Sequence, residues 1–328
     1  MFKNCLHCNV SYMCLKIKNF KLKIWILVVL CLAFIFPAKA YGQSLSLSIW
    51  PPLLEVIIQP GKTVTQVYKL TNNSDHELQI SPQIFPFEPV GEKGLIRIEI
   101  PKEVRPPGRS DLSKKDQGFF SFENAELNQP FGVAVGQTKE LVLKIIIPSS
   151  NPQNDYYYTL LFSTSEIPAD KKSQSSSVTQ IGSNILLTVS RLGTPNLSGK
   201  IKEFSAPIII DSFSPTNFKA IVANTGSSFW KPFGKITITG ILKQKDEIKL
   251  LEQNVLADSS RELAINSFKP QLPIGPFKAS LEFSLNENET NKLYAETDFW
   301  YLPYKLFSGI LILIILTFFV KKLRSRRV

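Results

Sequence analysis

The stretch YKLTNNSD, Tyr68–Asp75, returns in altered form as AIVANTGS, Ala220–Ser227. In each, apolar residues alternate along the chain up to an asparagine, and small turn-forming residues follow. Side chains of a β-strand point alternately to its two faces, so Tyr68, Leu70 and Asn72 share one face. We interpret the asparagine as a turn residue rather than a ligand contact, because Asn side chains hydrogen-bond to nearby backbone in turns.

The surrounding sequence consists of short alternating runs that are rich in Val, Ile, Tyr and Phe and are separated by Pro, Gly, Asn and Ser. This pattern breaks at RLGTP, Arg191–Pro195, and then starts again, with Val222 and Asn224 on one strand face. The sequence therefore predicts an all-β fold with two immunoglobulin-like β-sandwich domains, residues 41–192 and 193–300.

Two tyrosines follow a predicted corner in the first domain. Tyr156 and Tyr158 share one face of the strand that begins after NPQN, Asn151–Asn154. One interpretation is a tyrosine corner, in which a hydroxyl group binds the backbone of the loop. The other is ordinary packing of aromatic side chains in the core, and the sequence leaves both open.

The N-terminus is typical of a secretory signal peptide. The apolar run IWILVVLCLAFIF, Ile24–Phe36, follows several lysines and precedes Pro37 and the A-x-A sequence Ala38–Ala40. We expect cleavage after Ala40, so residues 1–40 are removed. Translation from Met13 would give a more ordinary positively charged region, and both starts remain open.

The C-terminus predicts a membrane anchor. LFSGILILIILTFFV, Leu306–Val320, is uncharged, and the basic segment Lys321–Arg327 follows it. We predict one transmembrane helix over residues 301–320, with the tail 321–328 in the cytoplasm by the positive-inside rule. The bulk of the chain is then outside the cytoplasm. Four aromatic residues are expected at the membrane interface, namely Phe299, Trp300, Tyr301 and Tyr304.

The net charge of +11 at first suggests nucleic-acid binding. However, 12 of the 38 basic residues lie in residues 1–40 and 305–328, which contain no acidic residue. The remaining chain holds 26 basic and 27 acidic residues. The basic excess therefore belongs to the two membrane-targeting ends, and we expect no nucleic-acid partner.

The exported part has few residues suited to catalysis. All four cysteines precede the expected cleavage site, and the one remaining histidine, His76, lies in a predicted turn. The HExxH, GxSxG and P-loop motifs do not occur. We therefore expect neither an enzyme nor a bound metal or cofactor.

One long segment, residues 101–131, interrupts the strand pattern. Segments of this length without regular structure are commonly functional or disordered. Basic side chains beside aromatic rings would suit contact with a cell-wall polymer, and the candidate residues are Arg105, Arg109, Lys114, Lys115, Phe119 and Phe120. The alternative is an insertion whose phenylalanines cover the sandwich.

PPLLEVIIQPGKTVTQVYKLTNNS, Pro51–Ser74, resembles the opening of the first domain of bacterial WxL-interacting proteins. GQTKELVLKIIIPSSNPQNDYYYTLLFST, Gly136–Thr164, and the later IGSNILLTV extend this resemblance over about residues 45–190. It implies a peptidoglycan-binding immunoglobulin-like domain, a second such domain that contacts partners, a transmembrane helix and a basic tail.

Two functions are consistent with these features. The first is a membrane-anchored, extracellular, non-catalytic binding or adhesion protein that contacts peptidoglycan, another cell-wall polymer or surface proteins through its sandwiches. The second is an exported, chaperone-like assembly factor that adds a strand to client surface proteins at an exposed sheet edge.

The predicted topology can be tested by proteolysis of intact cells. External protease is expected to remove residues 41–300 and to leave the C-terminal tail, because only the tail lies in the cytoplasm. Immunodetection of the two parts before and after digestion checks this expectation, and protection of residues 41–300 contradicts it.

Overall fold

The computed structural model describes residues 46–99, 117–165, 179–241, 244–287 and 292–325. The expected signal peptide and all four cysteines lie outside these ranges.

The first of two β-sandwiches is formed by the chain up to Val189. Its described strands are β1 (Leu47–Trp50), β2 (Leu53–Ile58), β3 (Thr63–Asn72), β4 (Leu78–Val90), β5 (Leu95–Ile98), β6 (Phe120–Phe122), β7 (Phe131–Val133), β8 (Thr138–Ile146), β9 (Asp155–Ser165) and β10 (Gln180–Val189). Sheet I has the order β1-β3-β8-β6, and sheet II has the order β2-β10-β9-β4-β5, with β7 also paired to β4.

The second sandwich follows directly. Its described strands are β11 (Gly199–Ser205), β12 (Ile209–Asp211), β13 (Lys219–Asn224), β14 (Phe233–Gly240), β15 (Lys245–Lys249), β16 (Ser260–Glu262), β17 (Gly275–Ser284) and β18 (Lys292–Leu302). Sheet III has the order β11-β13-β16, and sheet IV has the order β12-β18-β17-β14-β15. The helix α1 (Tyr304–Ser325) ends the described chain. The prediction of two immunoglobulin-like sandwiches and a C-terminal helix is confirmed.

Both sandwiches begin with a segment that changes sheets. β1 pairs antiparallel with β3 in sheet I, and β2 then pairs parallel with β10 in sheet II. In the same way, β11 pairs antiparallel with β13, and β12 pairs parallel with β18. Prolines interrupt both segments, Pro51 and Pro52 in the first and Pro207 in the second. Proline cannot donate a ladder hydrogen bond, so each interruption coincides with the change of sheet.

The two asparagines of the repeated stretches make matching hydrogen bonds. The Nδ2 group of Asn72 donates to the carbonyl oxygens of His76 and Val133, each at 2.9 Å, and its Oδ1 atom accepts from the amide of Ser74. The contacts with Ser74 and His76 close the turn, and the contact with Val133 joins the turn to a distant segment. Asn72 is fully buried, as expected for a side chain that satisfies backbone groups away from water.

Asn224 repeats this arrangement in the second sandwich. Its Nδ2 group donates to the carbonyl oxygens of Ser228 and Val255 at 2.9 Å, and its Oδ1 atom accepts from the amide of Gly226. In both sandwiches the partners are the residues two and four positions ahead and one distant segment. The prediction that these asparagines are turn residues is confirmed, and they also connect the turn to a distant segment.

The predicted strand faces are also found. Tyr68 and Leu70 are fully buried on the face of β3 that carries Asn72, whereas Val67 is 38% exposed on the other face. Tyr158 packs in the core with Phe120, at 4.8 Å between ring centroids. The hydroxyl of Tyr156 donates to the carbonyl of Pro152, four residues upstream, as in a tyrosine corner. Each of the two interpretations therefore holds for one of the two tyrosines.

The aromatic residues before the helix differ from the prediction. Phe299 and Tyr301 are fully buried in the second sandwich, because β18 continues through Leu302 and its alternate side chains enter the core. Their assignment to the membrane interface was wrong. The helix begins at Tyr304 rather than at residue 301. Its stretch Tyr304–Lys322 has the length and composition of a membrane span and is not buried by protein.

Replacement of Asn72 by alanine tests the turn contacts. Asn72→Ala removes a donor from two carbonyl groups and the acceptor of one amide, and we expect a loss of about 2–4 kcal/mol in unfolding free energy. Urea unfolding measures the loss. The neighbouring exposed Asn73 provides the control, because among the described residues its side chain donates to Ser48 Oγ alone, at 3.1 Å. Equal effects of Asn72→Ala and Asn73→Ala would contradict the assignment.

Candidate functional site

β2 is an edge strand with apolar side chains beside its free edge. The amide of Ser190 donates to the carbonyl of Ile58 at 3.0 Å, so the N–H and C=O groups of Ile58 face β10. Peptide groups alternate in direction along a strand. Those of Leu53, Glu55 and Ile57 therefore point away from β10, where sheet II ends in the described part of the chain. Leu53 is 39% exposed and Ile57 is 49% exposed.

Other edge strands in the described ranges are shorter or protected. β11 has seven residues, but a bulge between Ile201 and Glu203 interrupts its register. β15 has the sequence KDEIK, which places charges along its edge. The remaining edge strands have three or four residues each. Bulges, charges and short length all discourage pairing with another chain. Two longer strands also have stretches without a partner on one side among the described residues, Thr63–Tyr68 of β3 and Lys292–Phe299 of β18, but their outward side chains are mainly polar or charged. β2 is therefore the regular edge with the most apolar outer face.

An ion pair connects β2 to the second sandwich. The Nζ atom of Lys231 lies 2.8 Å from Oε2 of Glu55, and both side chains are about three-quarters buried. The Nδ2 group of Asn254 donates to Oε1 of the same carboxylate at 2.6 Å. Glu55, the only charged residue of β2, is thereby engaged by two residues of the other sandwich.

Two cavities lie on either side of this ion pair. The first, of about 400 Å³, is lined by Leu53, Phe87, Leu186, Lys231, Leu256 and Arg261, among others. The second, of about 340 Å³, is lined by Val56, Ile57, Phe229, Trp230, Lys231 and Leu285, among others. Both therefore combine one end of β2 with apolar residues of the second sandwich. We define the binding cleft as β2 together with these two cavities.

An apolar contact forms the floor of the cleft. Phe87 and Leu186 of the first sandwich are buried against Leu256 of the second, and Phe229 packs at the same place. The ring of Tyr157 stacks on Phe87, with 5.7 Å between centroids. The hydroxyl of Tyr157 accepts a hydrogen bond from the amide of Ala257 at 2.8 Å. These contacts join the sandwiches over residues that belong to neither main core.

The carboxylate of Asp155 is the polar centre of this contact. It accepts hydrogen bonds from the Thr188 hydroxyl at 2.7 Å and from the Tyr157 hydroxyl at 2.8 Å, both in the first sandwich. It also accepts from the amide of Phe229 in the second, at 2.6 Å. Burial raises the pKa of Asp155, although these donors and Ser228 oppose the shift. One carboxylate thus joins groups from both sandwiches.

Arg261 borders the first cavity. Its guanidinium donates to the carbonyl of Asn254 at 2.5 Å, whereas its buried Nε atom has no partner among the described residues. Burial lowers the pKa of Arg261. Gly94, with a φ of 70°, lies against the guanidinium, and a Cβ atom there would be 2.7 Å from Cζ. The glycine therefore allows the β4–β5 turn to approach Arg261.

The residues predicted to contact polymer divide into two groups. Phe119 and Phe120 are buried in the core of the first sandwich, against the rings of Tyr156 and Tyr158. This is the alternative in which the phenylalanines cover the sandwich. The four basic residues, Arg105, Arg109, Lys114 and Lys115, lie outside the described residues. Of the candidate residues that the structure describes, both phenylalanines lie in the core and away from solvent.

No group of three or more potential metal ligands occurs among the residues that the structure describes. His76 lies in the turn after β3, and its Nδ1 atom is 2.6 Å from Oδ1 of Asp75. Both side chains are accessible to solvent, so this pair has the character of a surface contact.

Comparison with known proteins gives similarity at the level of solved structures only. No family model matches the chain, and no curated protein matches it. The class 5 fimbriae chaperone CfaA is 13% identical, with a TM-score of 0.40, and the match covers 77% of this chain and 99% of CfaA. The Escherichia coli chaperone DraB is 11% identical, with a TM-score of 0.37, over 76% of this chain and 98% of DraB.

A Porphyromonas gingivalis protein of unknown function is 12% identical, with a TM-score of 0.28, and the match covers 77% of this chain and 99% of that one. At these values the similarity identifies no family and assigns no activity.

The pKa of Asp155 gives a testable pH dependence. Because the folded-state pKa is raised above the unfolded value of about 3.9, ionisation of Asp155 reduces folding stability. Relative to Asp155→Asn, which does not titrate, the wild type should gain stability as the pH falls from 7 through the raised pKa towards about 4.

Urea unfolding across this pH range measures the difference. Asp298→Asn, at an exposed carboxylate on β18, controls for the loss of one charge. If the unfolding free energy of the wild type relative to that of Asp155→Asn stays constant or falls on acidification, burial does not dominate the pKa of Asp155.

Proposed function

We propose that this protein is an exported, membrane-anchored binding protein that holds an extended segment of another exported protein as an added strand on β2. The observation that carries the proposal is the regular, apolar edge of β2 at the mouth of the binding cleft. This corresponds to the strand-addition alternative from the sequence, and β2 favours it over contact with a wall polymer.

The peptide groups of Leu53, Glu55 and Ile57 supply donors and acceptors for an incoming backbone. Side chains of an added strand alternate between its faces, so those on the outer face would meet Leu53 and Ile57. The cavities at the two ends of β2 would accept further apolar side chains, through residues such as Leu256 and Trp230. The preferred client segment is therefore extended and apolar at alternate positions.

The Glu55–Lys231 ion pair removes a charge that would oppose such a client. An unpaired carboxylate in the middle of the edge would have to be desolvated when a strand binds, at considerable cost. Because Lys231 and Asn254 already bind Glu55, that charge is compensated before the client arrives.

The helix α1 would hold the cleft at the membrane through which exported clients emerge. Contact with peptidoglycan or another wall polymer through residues 101–131 stays a prediction from the sequence, since its basic residues lie outside the described ranges.

Strand addition can be tested first by photo-crosslinking and then by direct measurement of binding. A photoreactive amino acid at position 57 should crosslink to an exported client in producing cells, whereas the same residue at position 67 should not. Val67 is a suitable control because it is similarly exposed but lies on β3 of sheet I, whereas β2 belongs to sheet II.

The purified client is then titrated against variants. Ile57→Pro removes an amide that faces away from β10, so it should weaken binding at least tenfold while the sheet remains paired, a change of about 1.4 kcal/mol or more. Val67→Lys should bind as the wild type does. Client binding that is unaffected by Ile57→Pro contradicts strand addition on β2.

A further inference from the structure

An apolar surface surrounds the point where α1 leaves the second sandwich. On the outer face of sheet IV, Ile209 of β12 is opposite Trp300 of β18, and Trp300 is opposite Pro276 of β17. Ile209 is 55% exposed and Trp300 is 47% exposed. Ile208, which precedes β12, is 76% exposed.

Two loops add apolar side chains at the same end. Phe213 is 62% exposed in the loop after β12, and Ile274 is 55% exposed in the loop before β17. The Ser212 hydroxyl joins these loops by donating to the carbonyl of Pro273 at 2.6 Å. Leu272, in the second loop, is also exposed. The apolar groups therefore belong to one connected end of the sandwich.

The buried carboxylate of Asp211 fixes this end to the helix. Its Oδ1 atom accepts from the amide of Lys305 in the first turn of α1, and its Oδ2 atom accepts from the amide of Phe213, both at 3.2 Å. The Nζ atom of Lys305 also donates to Ser214 Oγ at 3.1 Å. Only Pro303 separates β18 from α1. Phe213 and the start of the helix therefore share one carboxylate.

Polarity changes along β18 towards the helix. Its outward side chains are, in order, Lys292, Tyr294, Glu296, Asp298, Trp300 and Leu302. All three charged residues precede the two apolar residues that adjoin the helix, and Tyr294 lies among the charged ones. Such a gradient matches the passage from water to the interfacial layer of a bilayer, where tryptophan and tyrosine are enriched.

We infer that this end of the second sandwich is a membrane-contact surface that lies in the interfacial layer of the bilayer crossed by α1. The surface comprises Ile208, Ile209, Phe213, Leu272, Ile274 and Trp300. Its occupant is lipid rather than a protein partner, because the surface is continuous with the anchor and shares a carboxylate with its first turn. The nearby Lys269, whose Nζ atom donates to the carbonyl of Phe213, adds attraction for anionic headgroups. This inference rests on the proposed membrane anchoring.

Fluorescent labels on the full chain test the contact. The natural cysteines are replaced by serine, and single cysteines are introduced as Phe213→Cys or Ile274→Cys, both at exposed positions. Each protein carries an NBD label and is reconstituted into vesicles of phosphatidylcholine and phosphatidylglycerol that contain brominated lipid. We expect a blue shift and loss of NBD fluorescence at both positions.

Two further labels make the result decisive. Tyr294→Cys, on the same outer face of β18 but remote from α1, should keep its fluorescence. Leu313→Cys, in the middle of α1, should be quenched. If the label at position 313 is quenched and the labels at positions 213 and 274 are not, the contact surface is contradicted and the anchoring is not. Absence of quenching at 313 overturns the anchoring and, with it, this inference.

Discussion

The buried carboxylate of Asp155 constrains the relation between the two sandwiches. It accepts hydrogen bonds from both, and it is buried beside the apolar contact around Phe87 and Leu256. A buried charge is tolerated only where donors surround it, so the sandwiches must keep the arrangement that supplies them. The cleft beside β2 exists only in this arrangement, because Lys231 and Asn254 reach Glu55 across it.

The repeated asparagine shows how much of the structure can be predicted from a short stretch of sequence. Tyr68, Leu70 and Asn72 share a face because the strand period is two, and the turn residues after Asn72 identify where the strand ends. Sheet order and the change of sheet by β1 and β2 were not predictable from the same runs, because alternation describes faces and not partners. The prediction for the aromatic residues before the helix was wrong for a related reason, because the sequence around Phe299 and Tyr301 fits either a strand in a core or a membrane interface.

The cleft could not be found from sequence. Glu55 and Lys231 are 176 positions apart, and neither lies in a motif. The only local signal was the unusual run LLEVII, Leu53–Ile58, in which one acid lies among apolar residues that alternate between the two faces of the strand. That pattern indicates a strand whose outer face is also partly covered, but it does not show which residues cover it.

The joint at Pro303 has a mechanical consequence. Only Pro303 separates β18 from α1, and Asp211 hydrogen-bonds to the first turn of the helix. Rotation or tilt of α1 would therefore be passed directly to the second sandwich. With α1 in a membrane, as proposed, and with Asp155 joining the two sandwiches, the free edge of β2 would keep a fixed height and orientation relative to the lipid plane. Such a protein cannot reach for a partner as a flexibly tethered domain does, so capture would depend on two-dimensional diffusion along the membrane.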